Sequence, residues 1–161
     1  VFAVEGKPPL ARPVNVPEGL YCALVHPDVV IGTEQSRAGL SGQVSRATAV
    51  NQMANLAGVI LGCEQSDFSL IGKFLKDVMI EPQRSGQVSG FHQVQAAAME
   101  VGALGCSLSG SGPSIFAWCQ GEALARRVAA RMGQVFEQQA IGSRCWVSKV
   151  DSRGAQVMER V

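Results

Sequence analysis

Arg37 lies four residues after Thr33, one helical turn further along the same face, so a hydroxyl and a guanidinium can meet a single ligand there. A second guanidinium, Arg84, follows directly on Glu81-Pro82-Gln83. The planar fork of an arginine donates two parallel hydrogen bonds and so suits a carboxylate. The third feature is the small-residue stretch Ser109-Gly110-Ser111-Gly112-Pro113-Ser114. Gly110 and Gly112 can take positive φ without a Cβ clash, which lets successive backbone N–H groups turn into one concavity. Such a concavity accepts an anion or a closely packed second loop. Each feature has a plainer alternative: surface arginines at helix ends, and a wide hairpin whose glycines only relieve strain.

The elements that must hold these groups are read from hydrophobic period and from breakers. A strand over Leu20–Val25 ends at His26-Pro27-Asp28. Thr33 then caps a short helix, with Glu34 near its positive end and Gly39 and Gly42 limiting its length. A longer helix runs from about Val44 to Leu61, with Ala47, Val50, Met53, Ala54, Ala57, Ile60 and Leu61 on its inner face and Gly62 as its stop. Phe68–Met79 predicts another helix, directed inward by Phe68, Ile71, Phe74, Leu75 and Val78, that must end before Pro82. On this reading Arg84 projects from a junction where the chain leaves a helix in a fixed direction, which aims the side chain reproducibly. Phe91–Val101 and Glu122–Glu137 are amphipathic helices; Leu104–Leu108, Ile115–Cys119 and Cys145–Val150 are strands. Ahead of all these, Val1–Val4 reads as the last piece of a strand whose sheet lies elsewhere. Glu5–Gly19, with Pro8, Pro9, Pro13 and Pro17, reads as an extended linker or mobile loop. The order strand, helices, strand, strand, helix, strand predicts an α+β, ferredoxin-like split β-α-β sheet with extra helices inserted after the first strand.

The 161 residues, 47% hydrophobic and only 17% charged, suffice for one folded domain with a real core. A net charge of +1 creates no field that would gather nucleic acid or an anionic membrane, and no apolar run is long enough to cross a bilayer. Cys22, Cys63, Cys106, Cys119 and Cys145 are odd in number and lack the paired spacing of a zinc site or disulfide framework, which points to a reducing, cytoplasmic setting. His26, His92, Trp118 and Trp146 read as structural or packing residues, and Asp28, Asp67 and Asp77 as caps or solvated face. No Gly-Lys-Ser/Thr phosphate loop and no dinucleotide glycine fingerprint between strand and helix is present.

The run from Gly102 through Ser109-Gly110-Ser111-Gly112-Pro113-Ser114 to Ala117 resembles the third sequence motif of the GHMP small-molecule kinases, which include galactokinase, homoserine kinase and mevalonate kinase. It looks most like the homoserine kinases, and the resemblance extends from about Gly19 to the end of the chain. Thr33-x-x-x-Arg37 resembles the segment in which that group holds its amino-acid substrate, and Glu81-Pro82-Gln83-Arg84 is similar to its Glu-Pro-x-Arg element. Departures are modest: Gly32 stands where Ser is frequent, and His26 where a small or apolar residue is usual.

The resemblance implies that Thr33, Arg37 and Arg84 bind L-homoserine, with the two arginines clamping its α-carboxylate. Gly110, Ser111 and Gly112 would close over the substrate and brace a phosphate-binding loop. It implies an enzyme that moves the ATP γ-phosphate to the substrate hydroxyl with Mg²⁺ present, on the route to threonine. The family's Pro-x-x-x-Gly-Leu-Gly-Ser-Ser string and its magnesium-holding acid are not among these residues. The chain is therefore expected to be a C-terminal half, with 1–19 a remnant of the preceding domain and linker and 20–161 the GHMP C-terminal domain. Alone it is expected to carry no catalytic, ATP-binding or metal residue and to be inactive. Its expected partners are L-homoserine and the missing N-terminal domain. An exposed apolar patch near the glycine loop, or an unpaired edge at Val1–Val4, would let copies associate as a homodimer. Two rival readings are another kinase of the family and a non-enzymatic ferredoxin-like amino-acid-binding module.

Overall fold

The computed structural model describes residues 2–4, 10–32 and 39–154. Two short strands, β1 (Phe2–Val4) and β2 (Leu10–Arg12), pair antiparallel with Ala3 opposite Ala11. The strand at the start of the chain thus has a partner within the chain, where the sequence suggests an unpaired edge followed by a linker. The following stretch is also held: Pro17 is buried, and the Asn15 side chain donates to the Cys63 carbonyl at 3.0 Å.

The main sheet is built from β3 (Leu20–Pro27), β4 (Gly105–Leu108), β5 (Ile115–Gln120) and β6 (Ser143–Lys149), in the spatial order β4-β5-β3-β6 with every pairing antiparallel. Helices α4 (Phe91–Val101) and α5 (Glu122–Gln138) cover one face. This is the split β-α-β arrangement that the order of elements predicts. Alternation decides which face is covered: Ile115, Ala117 and Cys119 of β5 are buried, while Phe116 and Trp118 on the opposite face are only half-buried. Against Ile115, Ala117 and Cys119 pack Phe91, Val94 and Ala98 from α4 and Val128, Met132 and Phe136 from α5, all almost fully buried.

Between β3 and α4 come α1 (Arg46–Gln65), α2 (Phe68–Phe74), the single turn α3 (Glu81–Arg84) and a 3-10 turn at Ser85–Gln87. Ser45 caps α1 by accepting from the Thr48 N–H. The helix runs through Gly62, the expected stop, and ends where Ser66 takes a left-handed conformation, φ 55°. Gly62 serves packing: a Cβ there would stand 2.8 Å from Ile71 Cγ1, and one at Gly58 would run into the Phe74 ring. The inner face therefore carries Gly58, Gly62 and Cys63. The apolar stripe that the sequence assigns to the interior is outside, with Val50, Met53 and Leu61 about half exposed. The expected helix over Phe68–Met79 stops at Phe74, and Pro82 opens the new turn α3. Proline is tolerated in a first turn because its missing N–H would have no partner there.

Candidate functional site

The glycine loop joins β4 to β5. Ser109 N–H donates to the Ser114 carbonyl at 2.8 Å and Gly112 N–H to the Ser109 carbonyl at 3.1 Å, which closes the tip. Gly110 and Gly112 have φ of 64° and 81°, so the positive φ expected of both is present. A Cβ on Gly112 would find ordinary van der Waals contact, Val88 Cγ2 at 3.4 Å and Ile31 Cδ1 at 3.9 Å, so the positive φ and not a lack of space calls for glycine there. At the β5 end, Ser114 Oγ shares a 2.8 Å hydrogen bond with His26 Nδ1, so the structural role expected of His26 is fastening this loop to β3.

Arg84, at the last position of α3, reaches this loop. Its Nη1 donates to the Gly110 carbonyl at 3.2 Å. Its Nε is buried and is the buried side-chain polar atom left without a hydrogen-bond partner among the described residues. An unmet buried donor of a charged group costs on the order of 1–3 kcal/mol, so the fold keeps a cationic N–H in want of an acceptor. A carboxylate is the acceptor that a guanidinium fork fits best.

Arg84 and the glycine loop are thus brought together, with Arg84 at the end of a new single turn that Pro82 opens and not in extended chain beyond a helix over Phe68–Met79. Thr33 and Arg37 lie outside the described residues. The chain on either side of them is placed: Ile31 stands against Gly112, and Ser41 N–H donates to Gln83 Oε1 at 2.7 Å, one residue before Arg84.

Two contributors escape sequence reasoning. Gln95 of α4 donates through Nε2 to Glu81 Oε1 at 3.0 Å and to the Cys106 carbonyl at 2.8 Å, tying α3 to β4. Gln83 Nε2 donates to the Met79 carbonyl at 2.6 Å. Neither glutamine belongs to a pattern with intrinsic chemistry; the only signal is that Gln95 is the polar residue on the otherwise apolar inner side of α4.

The remaining named residues lie apart from the site. His92 is exposed in the first turn of α4, edge-on to Phe91. Trp146, expected in the packing, is 47% exposed on the uncovered face of the sheet, where the Arg144 guanidinium lies 5.9 Å from its ring centroid. Four of the five cysteines sit on strands as expected, and all five are free thiols. Burial pushes the Cys106 and Cys119 thiols up to about 12 and those of Cys22, Cys63 and Cys145 above their ordinary value, which suits packing and not nucleophilic chemistry. Among the large exposed apolar side chains, Val50, Met53, Leu56 and Leu61 lie on α1 and Val30, Val44, Val78, Met99 and Trp146 elsewhere.

No group of three or more His, Cys, Asp or Glu among the described residues could hold a metal ion. These residues do not form a magnesium site. No described helix is long and apolar enough to cross a membrane.

Comparison with known proteins bears on the family and the fold. The family described as GHMP kinases C terminal matches residues 59–138. A homoserine kinase of Chlorobium phaeobacteroides is 42% identical over 144 residues, which is 88% of this chain and 45% of that protein. The crystal structure of homoserine kinase from Cytophaga hutchinsonii superposes with a TM-score of 0.87 at 40% identity, over 89% of this chain and 46% of that one. A mevalonate kinase from L. major, solved with R-mevalonate, shares the fold at a TM-score of 0.65 and 13% identity. The chain spans about 45% of the length of the curated relatives it matches. On the family match and the superposition at 40% identity, the chain belongs to the GHMP kinases, as a C-terminal domain of that family.

Proposed function

We propose that the chain is the substrate-binding half of a homoserine kinase, an enzyme that transfers the ATP γ-phosphoryl group to the side-chain hydroxyl of L-homoserine in threonine biosynthesis. The observation that carries this reading is the Arg84 guanidinium, held against Gly110 with its buried Nε lacking an acceptor, in a chain with homoserine kinase relatives at about 40% identity. In this reading the substrate α-carboxylate accepts from the Arg84 guanidinium and from Arg37. Thr33 and Arg37 are assigned to the site on the resemblance of Thr33-x-x-x-Arg37 to the substrate segment of the homoserine kinases.

When bound, ATP supplies the phosphoryl group and Mg²⁺ offsets its charge. The residues of this chain bind and orient the acceptor. Arg37 and Arg84 fix the carboxylate end, which leaves the hydroxyl end of the substrate free for phosphoryl transfer. Gly110, Ser111 and Gly112 cover the substrate and support the phosphate-binding loop of an N-terminal domain, the principal protein partner. Residues 1–19 belong to the junction with that domain and 20–161 to the substrate-binding domain. The setting is the cytosol.

The test is steady-state kinetics of the full-length protein with Arg84→Ala. Losing one charged hydrogen-bonding partner raises the homoserine KM by at least about tenfold, with the ATP KM little changed. An unchanged homoserine KM rules the role out.

A further inference from the structure

Arg84 sits on a helix of one turn, Glu81–Arg84, and so short a helix has no stability of its own. Its N-cap residue, Ile80, supplies no side-chain hydrogen bond. The two amides that lead into the helix and the amide of its first residue are instead taken by Asp77, three residues further back. Asp77 Oδ1 accepts from the Met79 and Ile80 N–H groups, each at 2.8 Å, and Oδ2 accepts from Glu81 N–H at 3.1 Å. One half-buried carboxylate thus holds both the bend that follows α2 and the opening of α3.

We propose that Asp77 is a positioning residue for Arg84. By gathering the Met79, Ile80 and Glu81 amides, it fixes the direction in which α3 leaves and therefore where the Arg84 guanidinium meets the Gly110 carbonyl and the ligand. The proposal rests on the substrate role of Arg84 given above. Asp77 touches no part of that ligand site directly; its described hydrogen bonds go to backbone. Its effect falls on Arg84 because Arg84 is at the far end of the same single turn, where a small change of entry angle displaces the guanidinium most. The other side-chain ties of α3, from Gln95 to Glu81, from Gln83 to Met79 and from Ser41 N–H to Gln83, leave the Glu81 N–H to Asp77.

Kinetics of the full-length protein test this through a double-mutant cycle. Asp77→Ala is expected to raise the homoserine KM at least about tenfold while kcat and the ATP KM change by less than about threefold. Asp77→Asn keeps one acceptor oxygen and recovers most of the loss; it also carries the test if Asp77→Ala does not fold. In an Arg84→Ala background, Asp77→Ala adds less than about twofold, because the group it aims is gone. The proposal is overturned if Asp77→Ala leaves KM unchanged while Arg84→Ala raises it, or if the two effects multiply. If Arg84→Ala itself has no effect, the substrate role of Arg84 falls, and with it the positioning of substrate by Asp77. Amide hydrogen exchange then separates the two failures. Faster exchange at Met79, Ile80 and Glu81 in Asp77→Ala shows that the anchor exists without that function, and unchanged exchange shows that no anchor exists.

Discussion

Across a separation of 26 residues, Arg84 Nη1 donates to the carbonyl oxygen of Gly110 at 3.2 Å. The contact joins the one-turn helix α3 to the tip of the β4–β5 loop, and it fixes one nitrogen of the guanidinium while Nε stays buried and unpaired. The loop is placed by a backbone that only glycine adopts readily, and the arginine by hydrogen bonds around α3.

Gly112→Val tests the loop. A branched side chain at φ 81°, facing Val88, destabilises the fold by about 1–2 kcal/mol, yet lowers kcat/KM by more than about tenfold because the tip is displaced. Urea denaturation and steady-state assays of the same full-length variant give the two numbers. Activity loss no larger than the loss of folded protein would deny the loop a functional part.

Gln95→Leu removes the tie between Glu81 and the Cys106 carbonyl. Leaving these part-buried acceptors unmet costs about 1–3 kcal/mol, read as a lower urea midpoint, and loosens α3 enough to raise the homoserine KM. An unaltered midpoint would show that water replaces the amide at no cost.

Phe136→Ala is expected to act on stability alone. The ring is fully buried between α5 and the sheet, far from substitution-tolerant surface, and its loss costs about 3–5 kcal/mol. The folded fraction should keep the wild-type homoserine KM. A raised KM would show that the core and the site are coupled.

Alkaline pH should weaken the fold. Cys106 and Cys119 titrate near 9 when unfolded and at about 12 when folded, so between these values the unfolded chain has given up protons that the native chain retains. Stability is then full below pH 9 and falls as pH rises towards 12. Urea midpoints measured from pH 8 upward should decline, and less steeply in Cys106→Ala and Cys119→Ala. Equal slopes in wild type and variants would refute the assignment.

Much of this was legible in the sequence. Ile115–Gln120 alternates, Phe91–Val101 and Glu122–Gln138 keep the helical period, and together they specify the sheet and the face that α4 and α5 cover. Helix α1 misleads because the 3.6-residue period reports a stripe, not what covers it. Its inner side is made of Gly58 and Gly62, chosen for the close approach of Phe74 and Ile71, while Val50, Met53 and Leu61 face outward. Pro82 is ambiguous for a related reason, since proline both excludes a preceding helix and suits the first turn of a new one. Asp77 reads as an ordinary cap, and its three amide partners become apparent only once the backbone folds back around it.

The central claim is that Arg84 recognises a carboxylate, and the most direct measurement is substrate preference. Full-length protein should be assayed with L-homoserine and with L-homoserinamide, in which the carboxylate is a neutral amide. The account predicts that wild type prefers homoserine and that Arg84→Ala reduces that preference at least about tenfold, the share of one charge-assisted hydrogen bond. The same preference in both proteins would contradict it.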